Sequence, residues 1–68
     1  MLNTRKLKAR MVELGLTQKD IAVALKIAPA TASQKINGIR PLYLDEAQTV
    51  AEVLEIDDKS FGDYFFAK

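Results

Sequence analysis

The side chains able to do chemistry in this sequence are few, and their types decide what kind of chemistry it can be. With no Cys and no His, the chain has no disulfide, no thiolate or imidazole nucleophile or base, and no ligand set for structural zinc. The adjacent carboxylates Asp57 and Asp58 fall where a helix cap is expected, and no hydroxyl is paired with a base, so no catalytic constellation emerges and no enzyme is expected. What remains is recognition chemistry or an ordinary solvated face, in the run Thr31, Ser33, Gln34, Lys35 and Asn37. A Gln can pair bidentately with adenine, a small apolar or Thr side chain can touch a thymine methyl, and a Lys can reach guanine or phosphate.

The elements that must position this run can be read from punctuation at Gly15, Pro29, Gly38 and Pro41. The first helix is expected from about Thr4, N-capped by Asn3, with Leu7, Met11 and Leu14 on one face and Gly15 as its stop. Thr17 caps a second helix with Asp20 three residues later, a short-armed capping box, and Ile21, Ala22 and Leu25 as the buried stripe. Pro29 opens a third helix, because the N–H it lacks would be unpaired at that position. This helix runs to about Asn37, with Gly38 left-handed just beyond. A fourth spans roughly Leu44 to Leu54, with Asp45 and Glu46 at its positive end and Leu44, Ala47, Val50, Ala51 and Leu54 facing inward. Asp57 or Asp58 caps a last short helix through Phe66. The expected fold is all-α, five short helices in one domain over residues 1–68.

Charge is segregated along these elements. Residues 1–40 hold eight Lys or Arg against Glu13 and Asp20, a balance of +6, while residues 41–68 hold Lys59 and Lys68 against seven acids, a balance of −5. A basic half draws polyanions, and an acidic remainder limits indiscriminate sticking. Hydrophobic residues make up 49% and charged residues 28% of the chain, the balance of a folded domain rather than a disordered tail. Arg5, Lys6, Lys8 and Arg10 are followed by no apolar run, so neither a signal peptide nor a membrane span is expected, and the expected compartment is the cytoplasm.

Only three residues separate the second and third helices, too few for an antiparallel hairpin, so the two must cross steeply as in a helix-turn-helix. The run LTQKDIAVALKIAPATASQKINGIRPLYLDEAQTVAEVLEI resembles the Cro/repressor type of phage and bacterial transcriptional regulators, whose fold is lambda-repressor-like. Its LTQ opening, xxTxSxKING third helix and LDEAxxVAEVL fourth helix carry the resemblance, which extends over essentially the whole chain. Many relatives have Gly where Lys26 stands, which then must take a left-handed conformation, and Ser or Thr where Ala28 stands, so a capping hydroxyl is missing.

The resemblance implies a double-stranded DNA partner, with the third helix in the major groove. On a wheel of about 3.6 residues per turn, Ala32 and Ile36 fall with Ala28 on the buried side, leaving Pro29, Ala30, Thr31, Ser33, Gln34 and Lys35 as the base-reading set. With Pro29 and Ala30 unable to hydrogen-bond through their side chains, shape and apolar readout gain weight. Gln18, Lys19, Asn37, Arg40 and Tyr43 are the expected phosphate contacts, the helix-two start offering unpaired N–H groups to anions, with Asn37 alternatively a helix-ending residue and Tyr43 alternatively packed on the start of helix four. Arg5, Lys6, Lys8 and Arg10 could steer association or simply form a solvated face. SFGDYFF holds four of the five aromatics: Phe61 and Phe65 should close the core, and Tyr64 and Phe66 are surplus, either exposed as a dimer interface or capping the small core. A homodimer, at least on DNA, would read a pseudo-palindromic operator with half-sites about 34 Å apart. No cofactor, metal or small-molecule ligand is expected. The competing expectation is an antitoxin or other protein-interaction module on the same fold.

Overall fold

The computed structural model describes residues 2–67, in which five helices follow one another: α1 Thr4–Leu14, α2 Gln18–Leu25, α3 Pro29–Ile36, α4 Leu44–Val53 and α5 Asp58–Phe65. Local chemistry sets most of their ends. Asn3 Oδ1 accepts the Lys6 N–H at 3.1 Å, giving α1 a side-chain cap, and Gly15 closes that helix in the left-handed region at φ 69°. Asp20 reaches back from the third position of α2 and accepts the Thr17 backbone N–H at 2.8 Å. Asp57 Oδ1 accepts the Ser60 N–H at 2.9 Å and starts α5, which decides between the two candidate caps. Pro29 occupies the first turn of α3.

The helices enclose one core built from every element: Leu7 and Met11 of α1, Ile21 and Ala22 of α2, Ala32 and Ile36 of α3, Ala47, Val50 and Ala51 of α4, then Leu54 and Phe65. Four of these eleven are Ala, and methyl-sized contacts let short helices cross closely without voids. α2 packs most extensively on α3 and next on α4, so the pair α2–α3 is braced from behind. The N–H of Asn3 donates to the Tyr64 carbonyl at 2.8 Å and ties the chain's start to α5.

Several boundaries and faces differ from expectation. α3 ends at Ile36, α4 at Val53 and α5 at Phe65, with Asn37, Leu54 and Phe66 as the closing residues. Leu44 is 58% exposed: at the first residue of α4 it lines a surface groove instead of the core. Ala28 is exposed rather than buried: it precedes the first turn in extended geometry, ψ 147°, so the helical wheel does not extend to it. Tyr64 is not surplus but half-buried against the core, with the Lys6 ammonium 4.9 Å from its ring centre.

Candidate nucleic-acid interface

The geometry between α2 and α3 depends on one residue that takes the conformation glycine favours. Lys26 sits at φ 58°, ψ 44°, and closes α2 with its own N–H on the Ala22 and Val23 carbonyls. The Ile27 N–H then bonds Ala22 O at 3.0 Å, so the chain turns sharply and is held there. Extended Ala28, the geometry favoured before a proline, feeds Pro29 into α3, and the Ala28 carbonyl accepts from Ala32 N at 3.0 Å. No side chain caps α3. Its first turn therefore presents backbone N–H groups outward at the positive end of the helix dipole.

Of the six residues expected on the reading face, Pro29 and Ala30 are exposed and Thr31, Ser33 and Gln34 are half-exposed. Lys35 is a correction. Ala32, Lys35 and Ile36 share the i, i+3, i+4 stripe that faces the core, and Lys35 is buried with them. Its Nζ lies 2.8 Å from Glu46 Oε1 and 3.2 Å from the Pro41 carbonyl, with the Tyr43 ring centre at 5.0 Å. A Lys anchored in this way is withdrawn from base edges. The outward face is thus small, largely uncharged and narrower than the sequence implied.

The phosphate candidates divide. Gln18 and Lys19 open α2 and share a shallow groove with Lys8 and Pro29, which brings the start of α2 beside the start of α3. Arg40 and Tyr43 are exposed in the loop after α3. Asn37 is turned back on its own helix: its amide donates to Ser33 O at 2.7 Å and approaches Ser33 Oγ at 3.3 Å, so those donors are engaged within α3. On α1, Arg10 is diverted from the surface as well. Its Nε donates to Leu54 O at 2.9 Å and its Nη2 to Glu55 O at 3.4 Å, satisfying carbonyls at the end of α4. Lys6 turns toward α5, 4.0 Å from Asp63.

Glu46 is the residue that sequence reading undervalued, taking it only as an acid near a helix start. Its Oε1 accepts both the Lys35 ammonium and the Tyr43 backbone N–H, the latter at 3.0 Å. Burial by itself would raise its pKa, but the Lys35 hydrogen bond, the Tyr43 N–H and the Lys35 charge together hold it below the usual carboxylate value. Its position three residues after Tyr43 fits a capping glutamate, and that signal was present; nothing local pointed to Lys35, eleven residues away.

Behind the loop, an apolar groove of about 590 Å³ is lined by Leu2, Pro41, Leu42, Leu44 and Phe66, with Arg40 also on its wall. Phe66, expected at an interface, is 61% exposed there. Among the described residues no His, Cys, Asp or Glu cluster could hold a metal ion, and no helix is long and apolar enough to cross a membrane. No curated protein and no solved structure matches the chain. A family model does match, over residues 1–68, and the chain belongs to that family, described as Protein of unknown function (DUF739).

Proposed function

We propose that this chain is a sequence-specific, double-stranded DNA-binding transcriptional regulator, Cro-like or a short repressor, that inserts α3 into the major groove. The observation that carries the reading is the three-residue joint Lys26–Ala28, which sets the uncapped start of α3 next to Gln18 and Lys19 at the start of α2. Two helix N-termini that share one surface offer anion-binding N–H groups, and the outward side chains of α3 are small enough to approach base edges. Gln34 is the residue with the richest hydrogen-bonding capacity on that face, suited to adenine, while Ala30 and Thr31 suit a thymine methyl. Lys19 and Arg40, with Gln18 and Tyr43, supply phosphate contacts that fix register.

The protein acts by occupancy, without chemistry of its own, in the cytoplasm, and as a homodimer on a pseudo-palindromic operator. Phe66 and Leu44, exposed along the apolar groove, form the dimer face in this reading, with Tyr64 contributing only its exposed part. The same groove is what favours the second reading, an antitoxin or protein-interaction module. Salt separates the two. With two phosphate-binding cations per protomer, the logarithm of affinity for a duplex should fall against the logarithm of salt concentration with a slope of about −3 to −4 for a dimer. A salt-independent affinity, or none, would favour the protein-interaction reading.

A further inference from the structure

We propose that the partly buried Lys35–Glu46 pair is a positioning element that sets the loop Asn37–Tyr43, and with it Arg40 and Tyr43, relative to α3; it rests on the DNA-binding reading and deepens it. The loop is held in two halves. Its first half is held by carbonyls of the last turn of α3: Asn37 N donates to Ser33 O at 3.0 Å, Gly38 N to Lys35 O at 3.2 Å, and Ile39 N and Arg40 N share Gln34 O at 2.8 and 3.2 Å. Its second half is held by the pair: Lys35 Nζ donates to the Pro41 carbonyl, and Glu46 Oε1 accepts from Tyr43 N. Pro41 has no N–H, so its carbonyl is the one backbone hydrogen-bonding group by which it can be fixed. Arg40 is the last residue held by the first anchor and precedes Pro41, held by the second, so the loop is tied to consecutive residues Gln34 and Lys35 of α3 and, through Glu46, to α4.

Stability alone does not explain such a pair. Two apolar side chains of similar size would fill the same space about as favourably, because charges lose hydration on burial. What an apolar pair cannot supply is direction: a donor aimed at the Pro41 carbonyl and an acceptor aimed at the Tyr43 N–H. Lys35 is therefore a positioning residue for the phosphate contacts of the loop, not a reader of bases, and α3 and the loop would present to the duplex as one rigid unit.

The test compares wild type with Lys35→Met/Glu46→Leu, which removes both charges and leaves neither unpaired. Three quantities are read: the melting temperature, amide exchange at Ile39 and Arg40, whose acceptor Gln34 O is untouched, and affinity for a selected duplex with and without Arg40→Ala. The variant is expected to melt close to wild type, to exchange at Ile39 and Arg40 at least about ten-fold faster as the loop loosens, and to bind about ten-fold more weakly. Arg40→Ala should reduce the salt slope of wild type by about one per bound protomer but change the double variant little. A folded double variant with unchanged exchange and a full Arg40 effect would overturn the proposal. Should the double variant fail to fold, Glu46→Gln, which keeps size and a neutral acceptor, must show the same loosening in weaker form, and unchanged exchange there would overturn it equally. If wild type binds no duplex at any salt, the DNA-binding reading fails, and exchange at Ile39 and Arg40 still decides the positioning role.

Discussion

Removing Lys35 alone should be far more damaging than removing it together with Glu46. In Lys35→Met the Glu46 carboxylate stays where it is, with its side chain only 18% exposed, and keeps the Tyr43 N–H but loses its cation. Breaking a fully buried pair costs about 3–5 kcal/mol and a surface pair about 0–1 kcal/mol; with the Lys35 side chain 10% exposed and Glu46 18%, about 2–3 kcal/mol is expected. For a domain of this size each kcal/mol corresponds to roughly 4–8 °C, so the melting temperature at neutral pH should fall by about 10–20 °C. Acid supplies the control. In wild type the folded-state pKa of Glu46 lies below its unfolded value, so its contribution is present above the unfolded value, about 4.3, and is lost as pH falls through the lower folded value. In Lys35→Met two of the influences that lower that pKa are gone while burial remains, so the folded value rises and protonation relieves the variant. The two melting temperatures should therefore converge between neutral pH and about pH 3.5. Circular dichroism melts across that range test this directly. A variant within about 3 °C of wild type at pH 7, or a gap that stays constant on acidification, would refute the account of Glu46.

Two further perturbations probe other parts of the structure. Lys26 holds a left-handed conformation at φ 58°, which costs a non-glycine residue about 1–2 kcal/mol, partly offset by the greater unfolded-state entropy of glycine. Lys26→Gly should therefore raise the melting temperature by a few degrees, and a decrease would show that the side chain itself stabilises the turn. Replacing exposed Phe66 and Leu44 by Ser should reduce self-association in sedimentation while shifting the melting temperature little, since neither lies in the core; self-association unchanged by both would place any dimer contact elsewhere.

Helix starts and stops were legible in the sequence because caps act over three or four residues. Asn3, Gly15, Thr17 with Asp20, Pro29 and Asp57 each do locally what their type prescribes. The core stripes followed from periodicity for the same reason, down to Leu7, Ile21 and Leu54, the largest side chains fully removed from solvent. Lys35 was misread because a wheel treats lysine as polar, whereas its stem can line a core while its ammonium finds a partner at the edge. That partner, and the Arg10 bonds to Leu54 and Glu55, join elements brought together only by tertiary packing, which no local spacing encodes. Leu44 failed in the opposite sense: it keeps the period of the buried stripe, but at the first turn of α4 it lines an open groove and stays exposed. The candidate surface was legible as far as the α2–α3 joint and the residues Gln18, Lys19, Ala30, Thr31 and Gln34; its narrowing by Lys35, and the turning inward of Asn37, required the structure.

If the exposed edge of α3 reads duplex sequence, selection from a pool of random duplexes at two salt concentrations will show it. Wild type should enrich a pseudo-palindromic consensus, more tightly bound at the lower salt, and Gln34→Ala should blur that consensus at one position in each half-site while leaving the rest intact. Weak binding at both salts with no consensus would show that α3 does not read duplex sequence.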